Sequence, residues 1–382
     1  MTFQAVGDPP PCRSSYIFAG STWTGNTIYN AVNGEMSERA APAENLHVVM
    51  SVPVTTFAIK GTYMTRFLCR QLALLLAIFA ISAAANAVTL KVRCGEDRGL
   101  NTIGAALQVL QHDEEIGKPK TILVSGACNE NVVIQGMDRL TLNAEEGASI
   151  TDASAGSKST VFIGDSHDVA LNGFTINGGF DGIRCFDGSV CRFTNNTVQN
   201  SQEAGIFILT SSYGVITGGI IQGNTKFAGI GVGNASQALV SQATIRGNLN
   251  GAVVNNRSFL HFDSSSSSGN SGVGLSAFHG SEVDCGSCTV SHNGATGIDV
   301  AIGATAVLTL DFGAQTTPPY NIKANGGVGV GVADLSTVTF EVPGNVGGNN
   351  GPFDLACNPT FTTAVGLANA GLPPARTNCT GQ

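Results

Sequence analysis

Charge is what this 382-residue chain most lacks: Asp, Glu, Lys and Arg together make up 12% of it, about half the usual share of a soluble domain. That scarcity excludes coiled coils and helices laced with i,i+4 ion pairs. Positive charge is the scarcer sign, with 19 Lys and Arg against 27 Asp and Glu and a net charge of -8. No basic field is left to hold a phosphate backbone, which excludes nucleic acid as a partner. Aromatic residues are 7% of the chain and the single Trp is Trp23, so ring platforms for stacking a sugar are few. The 49 Gly and 13 Pro follow no triplet period, which excludes collagen. What fills the chain instead is glycine, asparagine, serine and threonine around 42% hydrophobic residues. This is the composition of many turns and short strands.

Long apolar runs are also nearly missing. The exception starts at Met64, where Arg66 and Arg70 precede an apolar stretch from Leu72 to Ile81 and a small-residue end at Ala85-Asn86-Ala87. Positive start, apolar middle and small end predict a secretory signal peptide over 64–87, cleaved after Ala87, in a bacterial-type exporting cell. The stretch is shorter than the roughly 20 residues of a bilayer span, so a membrane role follows only if the segment stays uncleaved as an anchor. Residues 1–63 show no sustained period of 2 or 3.6 and are expected to be an unfolded upstream segment or a start codon placed too early. Beyond 87 the cysteines number eight. Sequence neighbours pair as Cys94–Cys128, Cys185–Cys191, Cys285–Cys288 and Cys357–Cys379, out of on the order of a hundred connectivities. Cys285-Gly-Ser-Cys288 has no second CxxC and no βαβ pattern around it, which favours a structural disulfide over a redox or zinc motif, and a secreted or periplasmic, cell-envelope location.

A repeat runs through the exported part. Glycine followed by an apolar or small residue recurs at Gly182, Gly205, Gly229, Gly251, Gly272, Gly297, Gly327 and Gly351, and inward pairs such as Ile183/Cys185, Ile206/Ile208, Val273/Leu275 and Val328/Val330 follow the glycines. Period two predicts a strand with one buried face. Upstream lies an apolar-x-x-Asn column ending at Asn224, Asn248, Asn293, Asn325 and Asn349, and before it a third column that includes Val215/Thr217, Leu239/Ser241, Leu260/Phe262 and Val283/Cys285. Three strands per repeat describe a triangular coil that can bury its apolar face only by stacking on the next. The longest spacing is placed in an outward loop, Gly313 to Tyr320. Asn101-Thr102 before Ile103, Leu107 and Leu110 predicts an N-terminal capping helix.

These columns, with the segment Thr121-Ile122-Leu123-Val124-Ser125-Gly126-Ala127-Cys128-Asn129-Glu130-Asn131, resemble the right-handed parallel β-helix repeat proteins of the pectin-lyase-like superfamily. The resemblance implies an all-β right-handed parallel β-helix, a solenoid of three-strand coils. Its parts are an N-terminal cap and first strands at 88–130, repeats at 131–357 and a C-terminal cap or tail at 358–382. It does not fix an activity, because members include lyases, hydrolases, epimerases, adhesins and proteins without assigned chemistry.

Function is sought on outward positions, where neighbouring coils lie about 4.8 Å apart. The face after the glycines, with Arg184, Phe207, Gly231, Val253, Gly274, Asp299 and Gly329, carries a lone Arg184 and a lone Asp299 and reads as scaffold. Phe186 and Phe207 there read as ordinary exposed apolar surface. The third column differs. Aligning Phe259-Leu260-His261-Phe262-Asp263 with Glu282-Val283-Asp284-Cys285-Gly286 turns His261, Asp263, Glu282 and Asp284 outward on adjacent coils. Clustered carboxylates with an imidazole could divide acid and base roles, making these four the candidate catalytic residues. No cofactor is implied, although the carboxylates could hold a hard cation such as calcium. His279 and His292 are near enough in sequence to join. An Arg or Lys to take a proton, as in lyases that resemble this fold, does not align with the patch. Nor do the Asn-Thr-Asp, Asp-pair and Gly-His-Gly segments of the similar glycoside hydrolases; Phe278-His279-Gly280 is a fragment only. The expected function is therefore an exported envelope or extracellular protein whose long face engages polysaccharide or another cell-surface partner. The alternative is a carbohydrate-active enzyme, a lyase, hydrolase or epimerase, working through the acidic and His patch.

Overall fold

Alternating apolar residues and evenly spaced turns give one strand-rich stack. The computed structural model describes residues 30–32, 35–37, 88–111, 118–310, 319–358, 363–372 and 376–379. The chain divides at Leu74 into two units. In the first, Asn30–Val32 pairs antiparallel with Glu35–Ser37. The expected leader at 64–87 lies outside the described residues, as does nearly all of 1–63. Among the described residues, no helix is long and apolar enough to cross a membrane.

The second unit is an all-β right-handed parallel solenoid of about ten turns with three sheets. A twelve-strand sheet, hereafter sheet one, runs from Val88–Arg93 to Thr363–Val365. Sheet two has ten strands from Ala127–Asn129 to Asn345–Val346, and sheet three ten from Val132–Gln135 to Leu355–Cys357. Each coil visits the sheets in the order one, two, three, so identical positions stack. In sheet three, Ile183, Ile206, Ile230, Ala252, Leu275, Ile298, Val330 and Leu355 form one fully buried column. Burying one such column along the whole stack is what each coil cannot do alone. The four expected disulfides all form.

The register corrects several sequence assignments. In sheet three the glycines in register are Gly274 and Gly329, two residues after Gly272 and Gly327, so the inward pairs there are Leu275/Ala277 and Val330/Val332. The outward column accordingly holds Ser276 and Gly331, and Gly274 and Gly329 are not in it. The cause is close packing: a Cβ on Gly205, Gly229 or Gly274 would strike the branched side chain and the Asn amide of the next coil, and Gly329 likewise abuts Asn350. In sheet one the inward pairs of two coils are Gly214/Ile216 and Ala238/Val240, because Val215/Thr217 and Leu239/Ser241 face out. Ile208 occupies the place a side chain on Gly214 would need. Tyr320 is not part of an outward loop. Its ring is fully buried and its hydroxyl lies 2.9 Å from the carbonyl oxygens of Val342 and Asn369. Residues 311–318 lie outside the described residues.

Two buried polar ladders hold the corners. Between sheets two and three, Asn224, Asn248, Asn270, Asn293, Asn325 and Asn350 each receive or give amide hydrogen bonds from coil to coil at 2.8–3.1 Å. Asn350, not Asn349, is the last rung, and Asn270 is preceded by Ser267 where the motif has an apolar residue. The last amide donates to Asp354 Oδ1, which Arg376 also meets at 3.0 Å. Between sheets three and one, the hydroxyls of Ser189, Ser212, Ser236, Ser258 and Ser281 each accept the backbone N–H of the serine one coil earlier. Such ladders satisfy the backbone where the chain turns and no strand can. At the N-terminal end a helix, Ile103–Gln111, buries Ile103, Ala106, Leu107 and Leu110. Its first N–H groups are met by Thr102 Oγ1 and by both oxygens of Glu130.

Candidate functional site

The four candidate residues come from two neighbouring strands of sheet one, Phe259–Asp263 and Glu282–Gly286. Inward Leu260, Phe262, Val283 and Cys285 lock the strands into the core, and the Cys285–Cys288 bond closes the turn that follows. The pairing places His261 beside Asp284 and Phe259 beside Glu282. Gly286 stands next to Asp263 and, on the following coil, Thr309 stands next to Gly286. The missing side chain leaves a dent in that column. Together His261, Asp263, Glu282, Asp284, Thr309 and Glu341 line a cavity of about 360 Å³, with Val307 and Leu310 as its apolar part.

His261 is clamped. Its Nδ1 lies 2.7 Å from Asp284 Oδ2, and its Nε2 is in contact with Asp263 Oδ2. Each contact of a ring nitrogen with a carboxylate needs a proton between them, so the geometry calls for the doubly protonated imidazolium. The Asp284 hydrogen bond holds the pKa of His261 above its ordinary value, with Asp263 adding to it and partial burial opposing. The Phe259 ring stacks beside the imidazole, 6.3 Å between centroids. Asp284 Oδ1 is shielded from solvent and accepts no hydrogen bond among the described residues. With Lys and Arg missing from the described residues that line it, the cavity offers mainly acceptors, plus one fixed cation.

Glu341 is the residue sequence reasoning missed. It reaches the cavity because its N–H donates to Leu308 O at 3.0 Å, which carries it beside the Thr309 column. The long coil between Thr309 and Glu341 hid that alignment. His279 and His292 do not join. Both sit at left-handed corners, and His292 lines a different, polar hollow with Arg246 and Ser268.

The scaffold reading of the sheet-three face also needs correcting at one end. Arg184 is not alone there, since its Nε donates to the fully buried Asp181 at 2.7 Å and its guanidinium sits 5.8 Å from the rings of both Phe180 and Phe207. Phe180 precedes the strand in the turn, outside the period-two pattern, which is why alternation did not find it.

The family comparison agrees with this architecture. Residues 159–311 match the family described as right handed beta helix region. A cell surface glycoprotein of Methanothermus fervidus is 33% identical over 140 residues, which is 35% of this chain. The chain spans about a fifth of that relative's length, 21%. Among solved structures, the A-module of the mannuronan C-5 epimerase AlgE6 of Azotobacter vinelandii is 13% identical, with a TM-score of 0.38 over 80% of this chain and 92% of its own. An alginate lyase of Paenibacillus sp. is 13% identical, with a TM-score of 0.36 over 76% of this chain and 99% of its own. Stacked parallel coils, with a family match over their central part, carry one conclusion: this chain folds as a right-handed parallel β-helix.

Proposed function

We propose that the protein is exported and acts at the cell surface or just outside it, binding a polysaccharide across sheet one with the His261 cavity as the contact point. The observation that carries this reading is the clamp. Both nitrogens of His261 are spent on carboxylates, so the imidazole is a fixed charge and not a proton shuttle. Around it, Glu282, Asp284 and Glu341 supply acceptors suited to the hydroxyl donors of a sugar. The cavity falls at the small end of the range of roughly 300–1,000 Å³ for ligand sites, which suits a short stretch of a longer polymer. Paired cysteines and likeness to a cell surface glycoprotein support the location.

The test is retention of the full chain on a panel of neutral and acidic polysaccharides. Retention by at least one that weakens in Asp284→Asn and Glu341→Gln is expected; equal behaviour of wild type and variants overturns the assignment.

A second reading, a carbohydrate-active enzyme, is favoured by the convergence of four carboxylates, Asp263, Glu282, Asp284 and Glu341, on one cavity, an arrangement that can divide acid and base roles. Reducing-sugar and unsaturated-product assays on acidic polysaccharides, with and without calcium, decide it. Turnover that disappears in His261→Ala and Asp284→Ala selects the enzyme, and turnover untouched by both removes the site.

A further inference from the structure

A second cavity, about 290 Å³, opens on sheet three and is lined by Asn131, Val133, Lys158, Phe162, Phe180 and Arg184 among others. Its wall is unusually apolar for an outer face: Val133 is 52% exposed and Phe180 38%. Phe162, Arg184 and Phe207 occupy one outward column on successive coils, and the guanidinium lies 5.8 Å from the rings of Phe207 and Phe180. Arg184 cannot swing away. Asp181, with no exposed surface, holds its Nε and is itself held by the N–H of Ala204 and the hydroxyl of Ser159. The N–H donors on both Nη atoms of Arg184 and on Nζ of Lys158 have no partner among the described residues. The nearby carboxylate of Asp152 is taken up by Asn131 of the preceding coil and by Ser154 and Gly156 of its own turn.

The cavity thus supplies one fixed cation, Arg184, and one exposed one, Lys158, beside flat apolar walls, with Asn131, Ser157 and Ser159 as its few acceptors. We infer that it is a binding site for a ring-bearing carboxylate, an anion with a flat, apolar body, whose carboxylate meets the Arg184 fork and Lys158 while its ring lies against Phe162 and Phe180. A pyranose suits it less, because its hydroxyl donors would find few acceptors on these walls. Planar guanidinium geometry fits a carboxylate through paired hydrogen bonds, and its flanking phenylalanines fix its plane. The site does not rest on the sheet-one reading, since no residue is shared with the His261 cavity.

Calorimetric titration of the full chain with phenylacetate, its neutral amide and glucuronate tests this. Phenylacetate is expected to bind with a dissociation constant on the order of 1 mM, as for a small fragment, with the amide at least roughly tenfold weaker. Lys158→Glu, Phe180→Ala and the charge-conserving Arg184→Lys, which keeps a partner for Asp181, are each expected to weaken phenylacetate by about tenfold or more. Circular dichroism of the variants separates lost binding from lost fold. No saturable binding of phenylacetate, tighter binding of glucuronate, or equal binding by the folded variants would each overturn the assignment.

Discussion

The outer faces of sheet one and sheet three are built on the same coils, yet they hold charge in opposite ways. On sheet one a cation is enclosed by acids: His261 is about a third exposed and sits between Asp263 and Asp284, which keep 13% and 19% of their side-chain surface. On sheet three an acid is enclosed under a cation, with Asp181 wholly buried and Arg184 covering it at 26% exposure. Water can repair the first arrangement when one partner is lost; it cannot reach the second. Burial, more than the number of ion pairs, therefore decides which arrangement tolerates the loss of a partner and which does not.

The sharpest way to break this comparison is Asp181→Ala. Losing the buried partner of Arg184, and with it the bonds to Ala204 and Ser159, is expected to destabilise by about 3–5 kcal/mol, read from urea unfolding followed by circular dichroism. A loss below about 1 kcal/mol would mean that solvent enters this corner. On sheet one, Asp263→Ala is expected to cost only about 1 kcal/mol, because the imidazolium keeps Asp284 and solvent. The half-exposed pair of Arg192 and Asp168, 2.7 Å apart at 52% and 51% exposure, supplies the low end, and Arg192→Ala should fall within about 0.5 kcal/mol.

Acidity separates the faces further. The folded pKa of His261 is raised above its ordinary 6.5, so the stability drawn from the clamp is complete below that value and is lost as pH rises through the folded one. Beside the sheet-three cavity, Asp152 behaves in reverse. Partial burial pushes it up, but hydrogen bonds from Ser154, Asn131 and Gly156 outweigh that and hold it at about 2, against an ordinary 3.8. Its contribution is present above 3.8 and lost as pH falls towards about 2. Proton NMR titrations of His261 and carboxyl-carbon titrations of Asp152 check both directions, and a His261 midpoint at or below 6.5 would break the clamp reading.

Stacking of coils and the four converging side chains were legible in the sequence because period-two alternation reports which way a strand residue points. His261, Asp263, Glu282 and Asp284 lie on strands whose alternation is unbroken. Legibility failed where one stretch offers the same pattern twice. The close-packed glycines are Gly274 and Gly329, but Gly272-Val273 and Gly327-Val328 present a glycine followed by an apolar residue two positions earlier, and alternation alone cannot choose between them. Glycine and alanine at Gly214 and Ala238 gave no apolar signal against Val215 and Leu239, although small residues are what fit under Ile208 and its neighbours. The serine ladder escaped notice because a buried serine looks like a surface serine until its hydroxyl is seen to accept a backbone N–H. Arg184 was read as isolated because its partners, Phe180 and Asp181, sit in the preceding turn.

The asparagine ladder has a polarity. From rung to rung every side-chain amide donates towards the C-terminal side, while Asn248, Asn293, Asn325 and Asn350 also donate back to a backbone carbonyl of the coil before; the row therefore ends on a donor to Asp354, whose carboxylate Arg376 neutralises. A duplicated or deleted coil in the middle would leave both ends of the row chemically unchanged. Length in this protein can therefore vary by whole coils, whereas the closing aspartate and arginine must stay with the final one.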